Sequence, residues 1–291
     1  MMKPAIVLFI LFKKRKVFKD PAVQSESDLI VQREKEFHNQ LARSININEL
    51  LVREAFESPT AIENRFVLRS IGDPKGKKIL DLGCGAGETS VYFALQGADV
   101  YACDVAEDFL AVAGRLAKKF DVFIKLSAAS SSALPYTNGS FDYVFGNGVL
   151  HHVELSSTGN EIYRVLKSSG KAFFVEPLPY NPVIHAYRAV ATKVRSVDER
   201  PLSFKQLKDF GSVFSSFQHQ EFWLSSLLIF FHFFFIRGWH PSDVRYWKRV
   251  IEAGEEYHGL FEKLQRIDVF CLKHLPFLRY LCWNTVVVVE K

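Results

Sequence analysis

The most constraining stretch of the chain is Lys78-Ile79-Leu80-Asp81-Leu82, which runs directly into Gly83-Cys84-Gly85-Ala86-Gly87. A short apolar strand entering three spaced glycines, with a helix-forming segment opening at Glu88, reads as one strand–turn–helix unit. Gly83 lets the chain turn off the strand, Gly85 keeps a Cβ away from a ligand lying across the loop, and Gly87 lets the next helix start close by. The pattern then alternates: helix over about 88–96, strand 98–103, helix 106–119, strands 122–126 and 141–146, helix 158–167, strand 171–176. Such alternation predicts parallel strands joined by right-handed crossovers, an α/β doubly wound sheet. Segments 215–223 and 283–290 supply two more strands, making seven. What lies between them reads helical, so a helical cap inserted between two closing strands is expected. The expected organisation is a leader (1–20), an N-terminal helical arm or lid (21–76), the core (77–223), the cap (224–281) and a closing strand (282–291).

Charge narrows the partners. The 291 residues carry a formal net charge of +5, yet residues 1–20 alone hold six basic side chains against Asp20. The remaining chain is neutral, with no surplus of Lys and Arg to displace counterions, so no nucleic-acid partner is expected. The leader's eight-residue apolar run, Ala5–Phe12, precedes Lys13-Lys14-Arg15-Lys16. That run is too short to span a bilayer. It reads either as an unstructured start or as a weak peripheral membrane contact through residues 5–19 on a cytoplasmic protein at the inner membrane surface. Four cysteines, Cys84, Cys103, Cys271 and Cys282, show neither zinc-site spacing nor a disulfide framework; free thiols and no metal are expected.

Asp104 closes the second strand in Tyr101-Ala102-Cys103-Asp104-Val105, where a carboxylate can accept hydrogen bonds from both hydroxyls of a ribose. The glycines are spaced G-x-G-x-G, not the G-x-G-x-x-G that seats a pyrophosphate, and Asp81 just before them would repel a diphosphate. This weakens a nicotinamide-dinucleotide reading and suits a ligand with a cationic amino-acid end. Further segments follow in order: Leu134-Pro135-Tyr136 with Ser140-Phe141-Asp142-Tyr143-Val144, then Leu150-His151-His152, then Arg164-Val165-Leu166-Lys167-Ser168-Ser169-Gly170. With the glycine loop these resemble the class I S-adenosylmethionine-dependent methyltransferases, in particular the ubiquinone-biosynthesis-like branch called methyltransferase type 11, from about Lys78 to Pro177.

The resemblance implies a Rossmann-like fold with a mostly parallel seven-stranded sheet, and S-adenosyl-L-methionine as cofactor. It implies that Asp81, Gly83, Gly85 and Gly87, with Cys84, surround the methionine part, that Asp104 binds the ribose, that Val105 touches the adenine and that Asn147 sits near the sulfonium. Many relatives carry an Asp-Ala pair four residues before the Leu-Pro; this chain has Ser130-Ser131 there, so Ala129 and Ser130 are the expected adenine neighbours.

Methyl transfer is an in-line displacement whose rate can come largely from positioning, so a dedicated catalytic residue is optional. For an acidic hydroxyl or carbon acceptor the candidate bases are His151, His152 and Glu176, at carboxyl ends of strands. The bland alternatives are that one histidine supports the loop and that Glu176 neutralises an arginine such as Arg188. Finally, 27 phenylalanines are present, and Phe222–Ile236 is apolar almost all round. Read as a helix, it is either the centre of a cap packed on the sheet, or the wall of an apolar substrate tunnel or interfacial patch. The expected activity is O- or C-methylation of a small apolar or lipid-like acceptor. The alternatives are another use of the cofactor on a quinone-like ring, or a module that binds the cofactor without turnover.

Overall fold

The computed structural model describes residues 26–190 and 200–291. The leader with its 5–19 contact lies outside the described residues, as do the last residues of a further helix that the sequence pattern predicts over 183–194. In chain order the elements are α1 (Glu26–Arg43), α2 (Glu54–Glu57), α3 (Ile62–Ile71), β1 (Lys78–Leu82), α4 (Glu88–Leu95), β2 (Asp99–Asp104), α5 (Glu107–Lys119), β3 (Lys125–Ala128), β4 (Phe141–Asn147), α6 (Leu155–Val165), β5 (Leu166–Pro177), α7 (Pro182–Val190), α8 (Phe204–Gly211), β6 (Ser216–Phe222), α9 (Leu228–Phe231), α10 (Tyr246–Glu252), α11 (Gly254–His274) and β7 (Asn284–Glu290).

The strands form one sheet in the order β3-β2-β1-β4-β5-β7-β6. β1 to β5 pair in parallel, and β7 runs antiparallel between β5 and β6. Both faces are covered, as a parallel sheet requires. Ile79, Val100, Phe145 and Phe173 pack with Val91, Phe93 and Leu116 on one side. Their neighbours Leu80, Val144 and Phe174 pack with Ile162, Leu207 and Phe210 on the other.

Local chemistry shifts several predicted boundaries. β3 starts three residues later than expected because α5 closes through a left-handed Asp121 (φ 53°), with the Val122 N–H donating to the Ala117 carbonyl. α6 starts earlier because Glu154 caps it, accepting from the Ser156 and Ser157 N–H groups. Ser203 and Gln206 form a reciprocal capping box at the start of α8. The arm is α1, a 3-10 turn (Ile47–Glu49), the short α2 and then α3, and is not one continuous helix.

The largest correction concerns Phe222–Ile236, which is not one helix. Phe222 belongs to β6, Trp223 turns the chain with φ 68°, and a 3-10 turn (Ser225–Leu227) leads through α9 into a single π-turn over His232–Ile236. The cause lies about forty residues downstream. The buried Asp268 carboxylate of α11 accepts from the N–H groups of Leu224, Ser225 and Ser226 and from the Ser226 hydroxyl, which fixes a turn where apolar periodicity alone favours a helix. Leu227, Ile229, Phe230 and Phe233 are buried, whereas Phe235 and Ile236 are 69% and 72% exposed.

One topological fact positions the cap. Phe222 at the end of β6 pairs with Asn284 at the start of β7, which also pairs with Pro177 at the end of β5. The insertion therefore leaves and re-enters the sheet at the carboxyl edge of the parallel strands, the edge that carries the glycine loop. Cap and arm are tied there: the Thr60 hydroxyl donates to the Val250 carbonyl (2.8 Å) and the Ser58 hydroxyl to the Ile251 carbonyl (3.1 Å).

Candidate functional site

The glycine loop is anchored to β2. The N–H groups of Gly83 and Cys84 both donate to the Cys103 carbonyl, at 2.8 and 3.0 Å. The Gly85 N–H donates to Asp104 Oδ2 (2.9 Å) and the Ala106 N–H to Asp104 Oδ1 (2.8 Å). Asp104 is thus held by backbone at both oxygens, and each oxygen keeps a further lone pair for a ligand hydroxyl. Burial raises its pKa, and those backbone donors offset part of the rise. Asp81 is more deeply buried and accepts a hydrogen bond from the Ser90 hydroxyl. Desolvation, with the negative charge of Asp104 adding to it, pushes the Asp81 carboxyl up to about 7 against the opposing effect of Ser90. The same burial, beside these two acids, holds the Cys84 thiol well above its usual value, so it stays protonated.

The three glycines face different surroundings. A Cβ on Gly83 would lie 2.7 Å from Val149 Cγ2, and one on Gly87 would lie 2.6 Å from the Ala113 Cβ of α5. At Gly85 (φ 49°) a Cβ would meet nothing within 4 Å. Gly85 thus borders open space, flanked by Asp81 and Asp104, while the other two permit close packing. Val105, Ala129 and Ser130 are half-buried near Asp104, with the Ala129 N–H donating to the Asp104 carbonyl (3.1 Å). Ser130 pairs with the Ser132 hydroxyl (2.9 Å), and Asn147 is exposed at the end of β4. Open space beside Gly85, a fixed carboxylate for two hydroxyls and a second buried carboxylate near the loop fit S-adenosylmethionine and oppose a diphosphate.

The arm roofs this loop. Leu41, Ile45, Ile47 and Leu50 pack on a cluster that includes Ala86 of the loop and Phe109 of α5, and the Leu51 N–H donates to Glu88 Oε1 (3.0 Å). On the exposed side Lys35 pairs with Glu107 and Arg43 with Asp108, at 2.9 and 2.7 Å.

The turn after β4 carries the predicted histidines. Glu176, fully buried at the end of β5, accepts from the Val149 and Leu150 N–H groups at 3.0 and 2.7 Å through Oε1. Its Oε2 is 2.6 Å from His151 Nδ1. His152 turns the other way, with Nδ1 3.0 Å from Glu34 Oε2 on α1. Both Glu176 oxygens are therefore engaged within the turn, and the two histidines face different acids. Glu34, Ser90 and Glu88 carry no motif; the structure alone brings them to this edge. A separate cavity of about 560 Å³ lies between α3, β6 and α11, lined by Arg65, Arg69, Glu221, His258 and Lys273 among others, and includes no residue of the glycine loop or of the turn.

Known proteins resemble this chain in sequence and in fold. Residues 80–174 match a family profile described as a methyltransferase domain. A demethylmenaquinone methyltransferase of Streptomyces avermitilis is 31% identical over 153 residues, covering 50% of this chain and 64% of that protein. The chain thus spans just under two thirds of that relative's length. Phosphoethanolamine N-methyltransferase 2 of Caenorhabditis elegans is 32% identical over 113 residues, 38% of this chain and 26% of that protein. Among solved structures, Haemonchus contortus phosphoethanolamine N-methyltransferase 2, in complex with phosphomonomethylethanolamine and S-adenosylhomocysteine, aligns with a TM-score of 0.54 at 17% identity, covering 88% of this chain and 59% of that one. The [4+2]-cyclase SpnF aligns at 0.50 and 17%, covering 80% and 81%. With its β3-β2-β1-β4-β5-β7-β6 sheet and its glycine loop, the chain has the Rossmann-like fold of the class I S-adenosylmethionine-dependent methyltransferases, and its residues 80–174 carry a methyltransferase domain.

Proposed function

We propose that this protein transfers a methyl group from S-adenosylmethionine to oxygen or carbon of a small apolar or lipid-like acceptor. The observation that carries the reading is topological: the cofactor loop, the arm and the aromatic-rich cap all meet at the carboxyl edge of one sheet. Buried cap aromatics, Phe230, Phe233, Tyr246 and Tyr257, stand in one cluster with Phe56 of the arm, and Tyr187 of α7 joins Phe230 and Tyr246. An acceptor that enters between them meets rings and few charges, which favours an apolar body. The demethylmenaquinone relative supports a lipid-like acceptor class.

When bound, the cofactor supplies an electrophilic methyl group on a sulfonium. The chain's part is then to hold that ligand through Gly85, Asp81 and Asp104, to exclude water with the arm, and to take a proton from the acceptor where one must leave. His151 is the base in this reading. Its Nδ1–H donates to Glu176, which places the basic lone pair on Nε2. Glu176 is the positioning residue, since the same carboxylate holds the backbone of the turn. No helix among the described residues is long and apolar enough to cross a membrane, so a lipid-like acceptor would be met from a peripheral position, with the exposed Phe235 and Ile236 as contacts. The test is calorimetric titration with S-adenosylmethionine and S-adenosylhomocysteine, followed by labelled-methyl transfer to a panel of demethylated quinols, phenols and polar amines. Transfer to the apolar members is expected. Binding of both ligands with transfer confined to amines would sink the acceptor assignment, and no binding would sink the whole reading.

A further inference from the structure

Beside the cofactor loop, the arm and the turn after β4 bring one carboxylate and two imidazoles together. Glu34 and His38 stand one helical turn apart on α1 and so share a face; His152 comes from the turn more than a hundred residues later. Glu34 Oε2 is 3.2 Å from His38 Nε2 and 3.0 Å from His152 Nδ1. The three donor atoms all lie within 4.8 Å of one another. Glu34 is only 5% exposed, and the rings are packed: His38 against Phe109 and His152, and His152 against His151. A small cation with bonds of about 2.0–2.1 Å to nitrogen and oxygen holds adjacent ligand atoms about 3.0–3.4 Å apart. Two of the three separations have that value.

The second observation is directional. His152 Nδ1 is buried and makes no hydrogen bond among the described residues, although a carboxylate oxygen lies 3.0 Å away. The approach is misaligned for N–H···O, so hydrogen bonding does not account for the closeness. Two ligands of one cation stand to each other in this way, near in distance but directed at a third atom.

We propose that Glu34, His38 and His152 form a binding site for a divalent transition-metal ion of the zinc class, joining the arm to the core beside the cofactor loop. Two imidazoles and one carboxylate suit zinc, ferrous or manganous ions better than calcium or magnesium, which prefer all-oxygen sites. Three protein ligands leave a coordination position for water or an acceptor oxygen, as catalytic sites do and closed structural sites do not. The proposal is independent of the methyl-transfer reading, since it rests on the three side chains alone.

Untagged protein, stripped with EDTA and desalted, is titrated with zinc against a chromophoric competitor and, separately, with cobalt(II) read by visible absorption. One tight zinc per chain and the d–d bands of a four- or five-coordinate cobalt site are expected. Glu34→Gln, His38→Ala and His152→Ala are each expected to weaken zinc on the order of 100-fold. Thermal melts add a readout that survives poor folding of one variant: zinc raises the melting temperature of the wild type and leaves that of His38→Ala, altered only on the helix face of α1, unchanged. Absence of stoichiometric zinc in the wild type, or wild-type zinc affinity retained in all three variants, would overturn the site and leave these groups an ion-paired latch.

Discussion

Asp81 and the loop glycines carry the residue-scale predictions. A carboxyl pushed up to about 7 by burial is largely neutral below that pH, whereas a ligand ammonium placed beside it favours the anion. Binding then expels a proton below pH 7, so S-adenosylhomocysteine affinity rises with pH, by up to about tenfold per unit, and levels off above 7. Titrations from pH 5.5 to 8.5 check this, and Asp81→Asn is expected to bind weakly with a flat profile. Without ligand the sign reverses: the folded form resists ionisation that the unfolded chain undergoes near pH 4, so stability falls from about pH 4 to 7 and is level above. The glycines separate binding from folding. Gly87→Ala drives a Cβ onto Ala113 at a left-handed residue (φ 87°), so a loss of about 2–4 kcal/mol is expected in urea melts. Gly85→Ala meets open space and costs only the left-handed strain, about 1 kcal/mol. Its effect is expected in ligand affinity. The sequence pattern already assigns the three positions different roles; the neighbours of each Cβ set how much each substitution costs.

At the scale of elements, the Asp268 carboxylate shapes the entrance to the cap. Asp268→Ala strands three backbone N–H groups and the buried Ser226 hydroxyl, for which about 3 kcal/mol is expected as a lower unfolding midpoint at unchanged denaturant dependence. A smaller loss, within about 0.5 kcal/mol, would mean that apolar packing alone sets the turn. The core strands and crossover helices were legible because each buries a pattern written within it, as in β1, where every residue after Lys78 is buried. The Phe-rich stretch misled for the converse reason. Its shape is dictated by β6 pairing before it and by one acid of α11, and neither leaves a trace in local periodicity.

For the molecule as a whole, the arm is the part that ligand binding should change most. Its Ile47–Phe56 segment rests on the loop and on the cap, so saturation with S-adenosylhomocysteine is expected to slow amide exchange there more than in β4 or β5. At a ligand concentration 100 times Kd the added stability is about 2.7 kcal/mol, a rise of several degrees in melting temperature. Protection confined to α4 and β2 would show that the arm does not close on the ligand. The sequence by itself determined the strands of the sheet, the glycine loop and the places of Asp104 and the pair His151-His152 at strand ends, because strand–turn–helix units and their strand-end residues are local in the chain. The tertiary structure alone decided that His151 faces Glu176 while His152 faces Glu34 and His38, and that the cap rises from the edge that holds the cofactor loop. Those relations join segments that lie from 25 to more than a hundred residues apart, and chain geometry writes no spacing rule for contacts closed only by folding.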